Sequence, residues 1–375
     1  MKACAVLRKT ALGLATVLTV AACGYTAFAT LRTLRFASRE RRVPQGRPSI
    51  AALKPLHGNE PRLAEHLHAL CAQNYGAFTA SFCVRSRDDT ALPVAQAVVA
   101  EWPGIAQVAV GDDTARRNPK VRTLSGCERE ARGEIVVVAD ADIGVERDYL
   151  QSIAAGFDDP SVGAVTALYR GEPVGGLVAE LGAMGIEEHF APSVLVAGAI
   201  EPLRYCFGAT MAVRHEILVG IGGFAALDEL ADDHVLGRLV SAHGYRVVLA
   251  DTIVTTIVAE SSLRELWEHE LRWARTTRSL RPLDYLGLWV SFPVSLALLS
   301  LLLARERMPA IGVLAVALSL RYALHVAARG ALGVTRPSQW WLVPVRDLLG
   351  FAVWTNGITG KTVRWRNAIL ELDSR

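Results

Sequence analysis

No two cysteines in this chain are spaced Cys-x-x-Cys, which removes the zinc-ribbon and thioredoxin-type readings. The six cysteines (Cys4, Cys23, Cys71, Cys83, Cys127, Cys206) are scattered, several among apolar neighbours, as expected of reduced thiols in a reducing compartment. The formal net charge is only +3, too little to argue for a nucleic-acid partner. No repeat of solenoid period is present. The turn Gly220-Ile221-Gly222-Gly223-Phe224 has no lysine after it and reads as a backbone device, not a phosphate cradle.

What the chain does have is apolar residues, 51% of its 375 positions, high for a purely soluble protein. Residues 11–31 carry no charge and are long enough to span a bilayer. Lys2, Arg8 and Lys9 before them allow a cleaved signal peptide. The length of the run and the cluster Arg32, Arg35, Arg39, Arg41, Arg42 and Arg47 after it favour a retained anchor with the following region in the cytosol. Residues 285–304 and 309–328 are further candidate spans joined at Arg305, Glu306 and Arg307, the later one interrupted by Arg321 and His325. Residues 340–357, broken by Arg346 and Asp347, read as a short span or a re-entrant segment. The basic tail Lys361, Arg364 and Arg366 suits a cytoplasmic end, so four crossings or an equivalent re-entrant arrangement fit the charges.

Between these segments, strands are expected at 50–53, 78–84, 105–110, 135–139, 162–169 and 207–213. Helices are expected at 61–74, 92–102 and 121–132. That alternation predicts an α/β domain with a mostly parallel sheet flanked by helices. The apolar run Ile135-Val136-Val137-Val138-Ala139 ends in Asp140-Ala141-Asp142. Residues i and i+2 of an extended segment point the same way, so two carboxylates share one side at the carboxyl end of a buried strand. They suit a divalent metal holding a diphosphate, or else open a solvated turn. Asp232-Asp233-His234 begins a helix, where an acid is ordinarily a cap. Residues 263–280 form an amphipathic helix suited to the membrane interface. Its Arg272 also suits a diphosphate, through paired hydrogen bonds, and Lys120 is a second cation that could meet phosphate.

The order of these motifs resembles membrane glycosyltransferases of family 2, with the GT-A nucleotide-sugar fold, and within them the ceramide glucosyltransferase group. Leu53-Lys54-Pro55-Leu56-His57-Gly58-Asn59-Glu60, Asn118-Pro119-Lys120, Asp140-Ala141-Asp142 and His269-Glu270-Leu271-Arg272-Trp273 carry the likeness. Cys206-Phe207-Gly208-Ala209-Thr210-Met211-Ala212, Leu230-Ala231-Asp232-Asp233, Pro192-Ser193-Val194-Leu195-Val196-Ala197 and the Leu266 to Thr276 stretch are similar to the hopanoid-biosynthesis-associated glycosyltransferases of bacteria. The resemblance implies four regions: an anchor and basic segment (1–48), a cytosolic GT-A domain (49–262), an interfacial helix (263–284) and C-terminal membrane helices with a basic tail (285–375). It implies a multi-pass protein of the bacterial cytoplasmic membrane. The implied reaction moves N-acetylglucosamine from UDP-GlcNAc to the hopanoid bacteriohopanetetrol, with inversion. A ceramide glucosyltransferase using UDP-glucose and a non-enzymatic scaffold with a degenerate domain are the alternatives.

Carried onto this sequence, the resemblance makes Asp140 and Asp142 ligands of Mg²⁺ or Mn²⁺ and Asp233 the general base. Arg272 and Trp273 are catalytic, and Lys54, Glu60, Ser86, Asp88, Lys120, Asp140, His269 and Arg272 contact the nucleotide sugar. Two positions depart from the pattern. Ser86 stands where the group has a uridine-contacting Asp, leaving Asp88 or Asp89 to substitute or base recognition to be weakened, and His269 stands where the group has Gln or Arg.

Overall fold

The computed structural model describes residues 2–111, 116–304, 307–360, 362–365 and 368–371. Arg305, Glu306, Lys361 and Arg366 lie outside the described residues. The chain forms two compact units. One comprises Glu40–Arg170 and Ile200–Ile257, and the other Met1–Arg39, Gly171–Ala199 and Val258–Arg375. Gly171–Ala199, inside the 49–262 span, groups with the apolar helices.

The α/β unit is built on strands β1 (Ile50–Leu56), β2 (Phe78–Val84), β3 (Ala106–Val110), β4 (Ile135–Val138), β5 (Ile143–Gly144), β6 (Val162–Pro173), β7 (Met211–Arg214) and β8 (Arg246–Val258). Their order in the sheet is β3-β2-β1-β4-β7-β6-β8-β5. β1 runs parallel to β2 and β4, and β2 parallel to β3. Crossover helices Leu63–Cys71, Leu92–Glu101 and Pro119–Gly126 connect these strands, as parallel pairing requires. β7 is antiparallel to β4 and β6, and β5 is antiparallel to β8. The sheet is thus mixed, and its parallel character is confined to β1–β4. Those strands are near-continuous apolar runs, and Leu67, Phe82, Val137 and Leu150 meet in one buried core with them. The strand expected from residue 207 starts only at Met211, because Phe207 bridges Thr210 in a tight turn. The sequence reading passed over β8, although its Val-, Ile- and Thr-rich composition is that of a strand. Gly222 (φ 101°) and Gly223 (φ 69°) occupy the left-handed region, which accounts for the glycine-rich turn as backbone geometry.

Asp89 ties two loops at the carboxyl end of the sheet. Its carboxylate accepts the backbone N–H groups of Gly58 (2.9 Å) and Ala91 (3.0 Å) and pairs with His57 Nδ1 at 3.0 Å. Burial opposes its charge, but the N–H groups of Ala91 and Gly58 and the His57 side chain outweigh this and hold its pKa below the usual carboxylate range.

In the helical unit, helix Lys2–Ala37 buries a stripe of small residues: Ala15, Thr19, Ala22, Thr26, Ala29 and Thr33. The stripe packs against helices Pro293–Leu303 and Arg307–Ala331, with Thr19 Oγ1 3.3 Å from Ser300 Oγ. Leu14, Val17, Val20 and Leu31 remain exposed on the outer side, as expected for a lipid-facing surface. Val6–Ala37 and Arg307–Ala331 are long and apolar enough to cross a membrane. Pro282–Ser291 and Pro293–Leu303, bent by 66°, would add a third span if they act as one. Helix Val343–Gly357 has 15 residues, about 22 Å at the helical rise, and is too short for a fourth straight crossing.

Arg321 and His325, which interrupt an otherwise apolar span, are each at most 2% exposed and are not wasted charge. Arg321 pairs with Glu188 at 3.2 Å and Asp347 at 3.4 Å, and His325 Nδ1 lies 2.6 Å from Glu188. Arg336 likewise clasps Glu180 and Glu187, each at 2.9 Å. Buried charges are tolerated when paired in this way.

Two outcomes follow. Ala22→Leu overpacks the helix contact and costs about 1–3 kcal/mol, read as a lower thermal midpoint in detergent, whereas Val20→Leu on the outer face leaves it unchanged. Asp89→Asn destabilises at pH 7. Because the folded pKa is depressed, the stabilisation is present above about pH 4 and is lost as pH falls through the lower folded value. The gap between variant and parent in denaturant titrations should close under acid.

Candidate active site

β4 ends at Val138, and Asp140 and Asp142 follow at the carboxyl edge of the sheet. Two antiparallel pairings fix their surroundings. Val138 faces Met211, so the turn just before β7 lies beside Asp140. Ile143 faces Thr256, and the Thr256 hydroxyl donates to Asp142 Oδ2 at 2.6 Å. Gly208 sits at the centre. A Cβ there would lie 2.8 Å from Asp140 Oδ2, 3.5 Å from Lys120 Nζ and 3.7 Å from Asp233 Oδ2. Three charged side chains therefore converge on a position that only glycine leaves open.

Lys120 Nζ is 2.8 Å from Asp140 Oδ1 and 3.1 Å from Asp232 Oδ2. Its placement begins with Asn118, the N-cap of helix Pro119–Gly126. The Asn118 side chain accepts from the backbone N–H groups of Lys120 and Val121, and its Nδ2 donates to the Glu229 carbonyl at 2.8 Å. Asp232 and Asp233 are not caps. They occupy the first turn of helix Asp232–Ala242, whose cap position is Ala231 with no side-chain bond. Asp233 Oδ2 accepts the Gly208 N–H at 2.8 Å, and Oδ1 accepts the His234 N–H at 2.8 Å.

Four carboxylates (Asp140, Asp142, Asp232, Asp233) face two ammonium groups, Lys54 and Lys120. Burial and the neighbouring Asp232 raise the Asp233 pKa well above the carboxylate range. Burial and Asp140 raise that of Asp142. Burial opposes the charge of Lys120, but Asp140 and Asp232 outweigh it and raise its pKa. Lys54 is 1% exposed on β1 and donates to the Ile143 carbonyl at 2.8 Å. Burial lowers its pKa to about 8 against the pull of Asp142 and Asp140. Among the described residues, no group of three or more His, Cys, Asp or Glu is gathered as a metal cage.

Of the residues singled out in the sequence, Lys54, Lys120, Asp140, Asp142 and Asp233 come together here. Ser86, Asp88 and Glu60 lie on the loops after β2 and β1. The Ser86 hydroxyl accepts the Asp88 N–H at 3.0 Å, the Asp88 residue is exposed, and Asp89 is committed to Gly58, Ala91 and His57. His269, Arg272 and Trp273 lie in the helical unit on helix Leu263–Leu280. There His269 Nδ1 pairs with Glu260 and its ring meets Trp273 edge-on at 4.5 Å. Glu270, between them in sequence, is held through both its oxygens by Arg346.

Sequence reasoning missed several residues. Thr256 and Asn118 position the acids and Lys120. Tyr169 meets Phe207 edge-on at 6.4 Å in the turn before Gly208, and burial, with the charges of Asp233, Asp142 and Asp140, raises its hydroxyl pKa. Tyr205 stacks on His234. No local motif marks any of these. Thr256 could have been found only by recognising β8.

Residues 14–375 match the family model described as Glycosyl transferase family 21. The motifs had pointed to family 2, and the ceramide-glucosyltransferase-like part of that reading agrees with the relatives found. Ceramide glucosyltransferase 3 of Caenorhabditis elegans is 22% identical over 338 residues, covering 87% of this chain and 73% of that protein. Ceramide glucosyltransferase of Gibberella zeae is 32% identical over 138 residues, covering 32% of this chain and 26% of that protein. Among solved structures, the mannosyltransferase PcManGT from Pyrobaculum calidifontis, in complex with GDP-Man and Mn²⁺, superposes with a TM-score of 0.54 at 21% identity. The match covers 93% of this chain and 99% of that one, a likeness of fold. The α/β sheet with its acid-rich edge and the near-complete family match converge: this chain is a glycosyltransferase and belongs to glycosyl transferase family 21.

Proposed function

We propose that the protein transfers a sugar from a UDP-sugar to a hydroxyl of a membrane lipid, with inversion, and that Asp233 is the general base. The observation that carries this reading is the convergence of Asp233, Asp140 and Lys120 on Gly208. It puts a carboxylate of raised proton affinity beside a charge cluster suited to a diphosphate.

The residues present fit a hard divalent cation. Asp140 and Asp142 would hold Mg²⁺ or Mn²⁺. The four carboxylates exceed the two ammonium groups, and the described residues offer no closed cage, so donor phosphates and water would complete the shell. When bound, such an ion supplies positive charge for the diphosphate leaving group. The chain's own residues do the rest. Lys120, held by Asp140 and Asp232, adds a cation at the same edge. Thr256 fixes one oxygen of Asp142, and the Gly208 N–H fixes Asp233. Asp233 takes the proton from the acceptor hydroxyl, which attacks the anomeric carbon opposite the departing UDP. An α-linked donor then gives a β-glycoside. With Asp89 committed elsewhere, Asp88 is the acid left to meet the uridine. The donor-phosphate roles of Arg272 and His269, the catalytic role of Trp273 and the donor contacts of Lys54, Glu60 and Ser86 rest on the motif resemblance.

For donor and acceptor, the 206–212 and 266–276 segments favour N-acetylglucosamine and bacteriohopanetetrol. The names of the relatives favour the second reading, glucose and ceramide. The apolar helices support a membrane protein and the arginines after the first of them a cytosolic α/β unit, while the bacterial inner membrane rests on the motif resemblance.

The test uses the full chain in detergent, assayed with both donors and both lipids. Asp233→Asn should bind UDP within about twofold of the parent and lose transfer by ~10²- to 10⁴-fold. In the parent, transfer should fall with decreasing pH at a value above that of an ordinary carboxylate, since the raised pKa lets Asp233 take up its proton early. Full turnover by the variant contradicts the base assignment. Absence of transfer in every donor and lipid pair would leave the scaffold reading.

A further inference from the structure

An aromatic arc adjoins Asp233 and is used by nothing described so far. The Tyr205 ring stacks parallel on His234, with centroids 5.8 Å apart and planes within 1°. Phe207 meets Tyr205 edge-on at 5.7 Å, and Tyr169 meets Phe207 edge-on at 6.4 Å. Phe207 is buried, whereas Tyr205, His234 and Tyr169 are half-buried. The arc therefore has one residue in the core and three that are half-buried.

The backbone around it is built to hold that position. The Cys206 N–H donates to the Asp233 carbonyl at 3.2 Å, the Phe207 N–H to Thr166 Oγ1 at 2.9 Å and the Gly208 N–H to Asp233 Oδ2 at 2.8 Å. A Cβ on Gly237 would lie only 2.3 Å from Tyr205 Cα, so the glycine lets the Tyr205 backbone press onto the helix that carries Asp233 and His234. Four consecutive residues and a helix turn are thus fixed around one carboxylate.

We propose that the Tyr205–His234 ring pair is an acceptor subsite, which packs against the C–H faces of the lipid's hydroxylated headgroup and presents one hydroxyl to Asp233. The inference rests on the reading of Asp233 as base. The ring pair adjoins Asp233, with His234 next to it in the helix and the Cys206 N–H on the Asp233 carbonyl, whereas the charges suited to a diphosphate are those around Asp140 and Lys120; the acceptor is therefore taken as its occupant. Stiff aromatic side chains supply contact area at little entropic cost, and the flanking carboxylate supplies the orienting hydrogen bond.

The experiment measures transfer by the full chain against varied acceptor at saturating donor, then against varied donor, with UDP affinity by calorimetry. Tyr205→Ala should raise the acceptor KM about tenfold, as expected for losing one aromatic contact. It should leave the donor KM and UDP affinity within twofold, while Tyr205→Phe stays near the parent. Should Tyr205→Ala lower the thermal midpoint enough to unfold, Tyr205→Leu and His234→Ala take its place. An unchanged acceptor KM, or an equal rise in the donor KM, overturns the subsite. Failure of the parent to transfer to any lipid overturns the functional reading instead.

Discussion

The ammonium group of Lys120, held between Asp140 and Asp232, is the interaction on which the rest of the site depends. Asp140 comes from the end of a parallel strand and Asp232 from the start of a helix far along the chain. Without a cation between them, carboxylates at this spacing repel one another and the edge opens. Lys120 spans the gap because Asn118 caps its helix and ties that helix to the Glu229 carbonyl just ahead of Asp232. Lys54, from beneath, adds a second charge and anchors the chain just past Asp142 through the Ile143 carbonyl.

The mixed sheet is what makes the cluster possible. Parallel strands β1–β4 deliver their carboxyl ends to one edge, where open α/β sheets bind ligands. The antiparallel β7 then runs the other way, so its beginning meets the end of β4. That reversal brings Gly208 and the aromatic turn next to Asp140 and Asp233. β8 performs the same service for Asp142 through Thr256. In the helical unit, paired charges replace the apolar contacts that Arg321, His325 and Arg336 forgo.

Much of this was legible in the sequence because it is local. The Val-rich run before Asp140, the crossover helices and the amphipathic helix at Leu263–Leu280 each announce themselves by composition or period. Asp140 and Asp142 stood out because acids end an apolar run, whereas Asp233 was singled out only through the motif resemblance. What escaped depends on partners remote in the chain. Asp232 and Asp233, taken alone, read rather as caps until Lys120 and Gly208 were seen to hold them. Asp88 and Asp89 were indistinguishable as substitutes for the acid absent at Ser86 until Gly58 and His57 claimed Asp89. The buried stripe of helix Lys2–Ala37 is hidden in a sequence that is apolar on every face. The break at Gly171–Ala199 is likewise silent, since its glutamates find their arginines more than a hundred residues later.

The central claim is that an excess of carboxylates over ammonium groups at this sheet edge binds a divalent cation together with a nucleoside diphosphate. Calorimetric titration of the purified full chain with UDP, in the presence of Mn²⁺ and in chelator, tests it most directly. The account predicts UDP binding that depends on Mn²⁺ and is abolished by Asp140→Asn. UDP binding of equal affinity in chelator, or unaltered in Asp140→Asn, would contradict it.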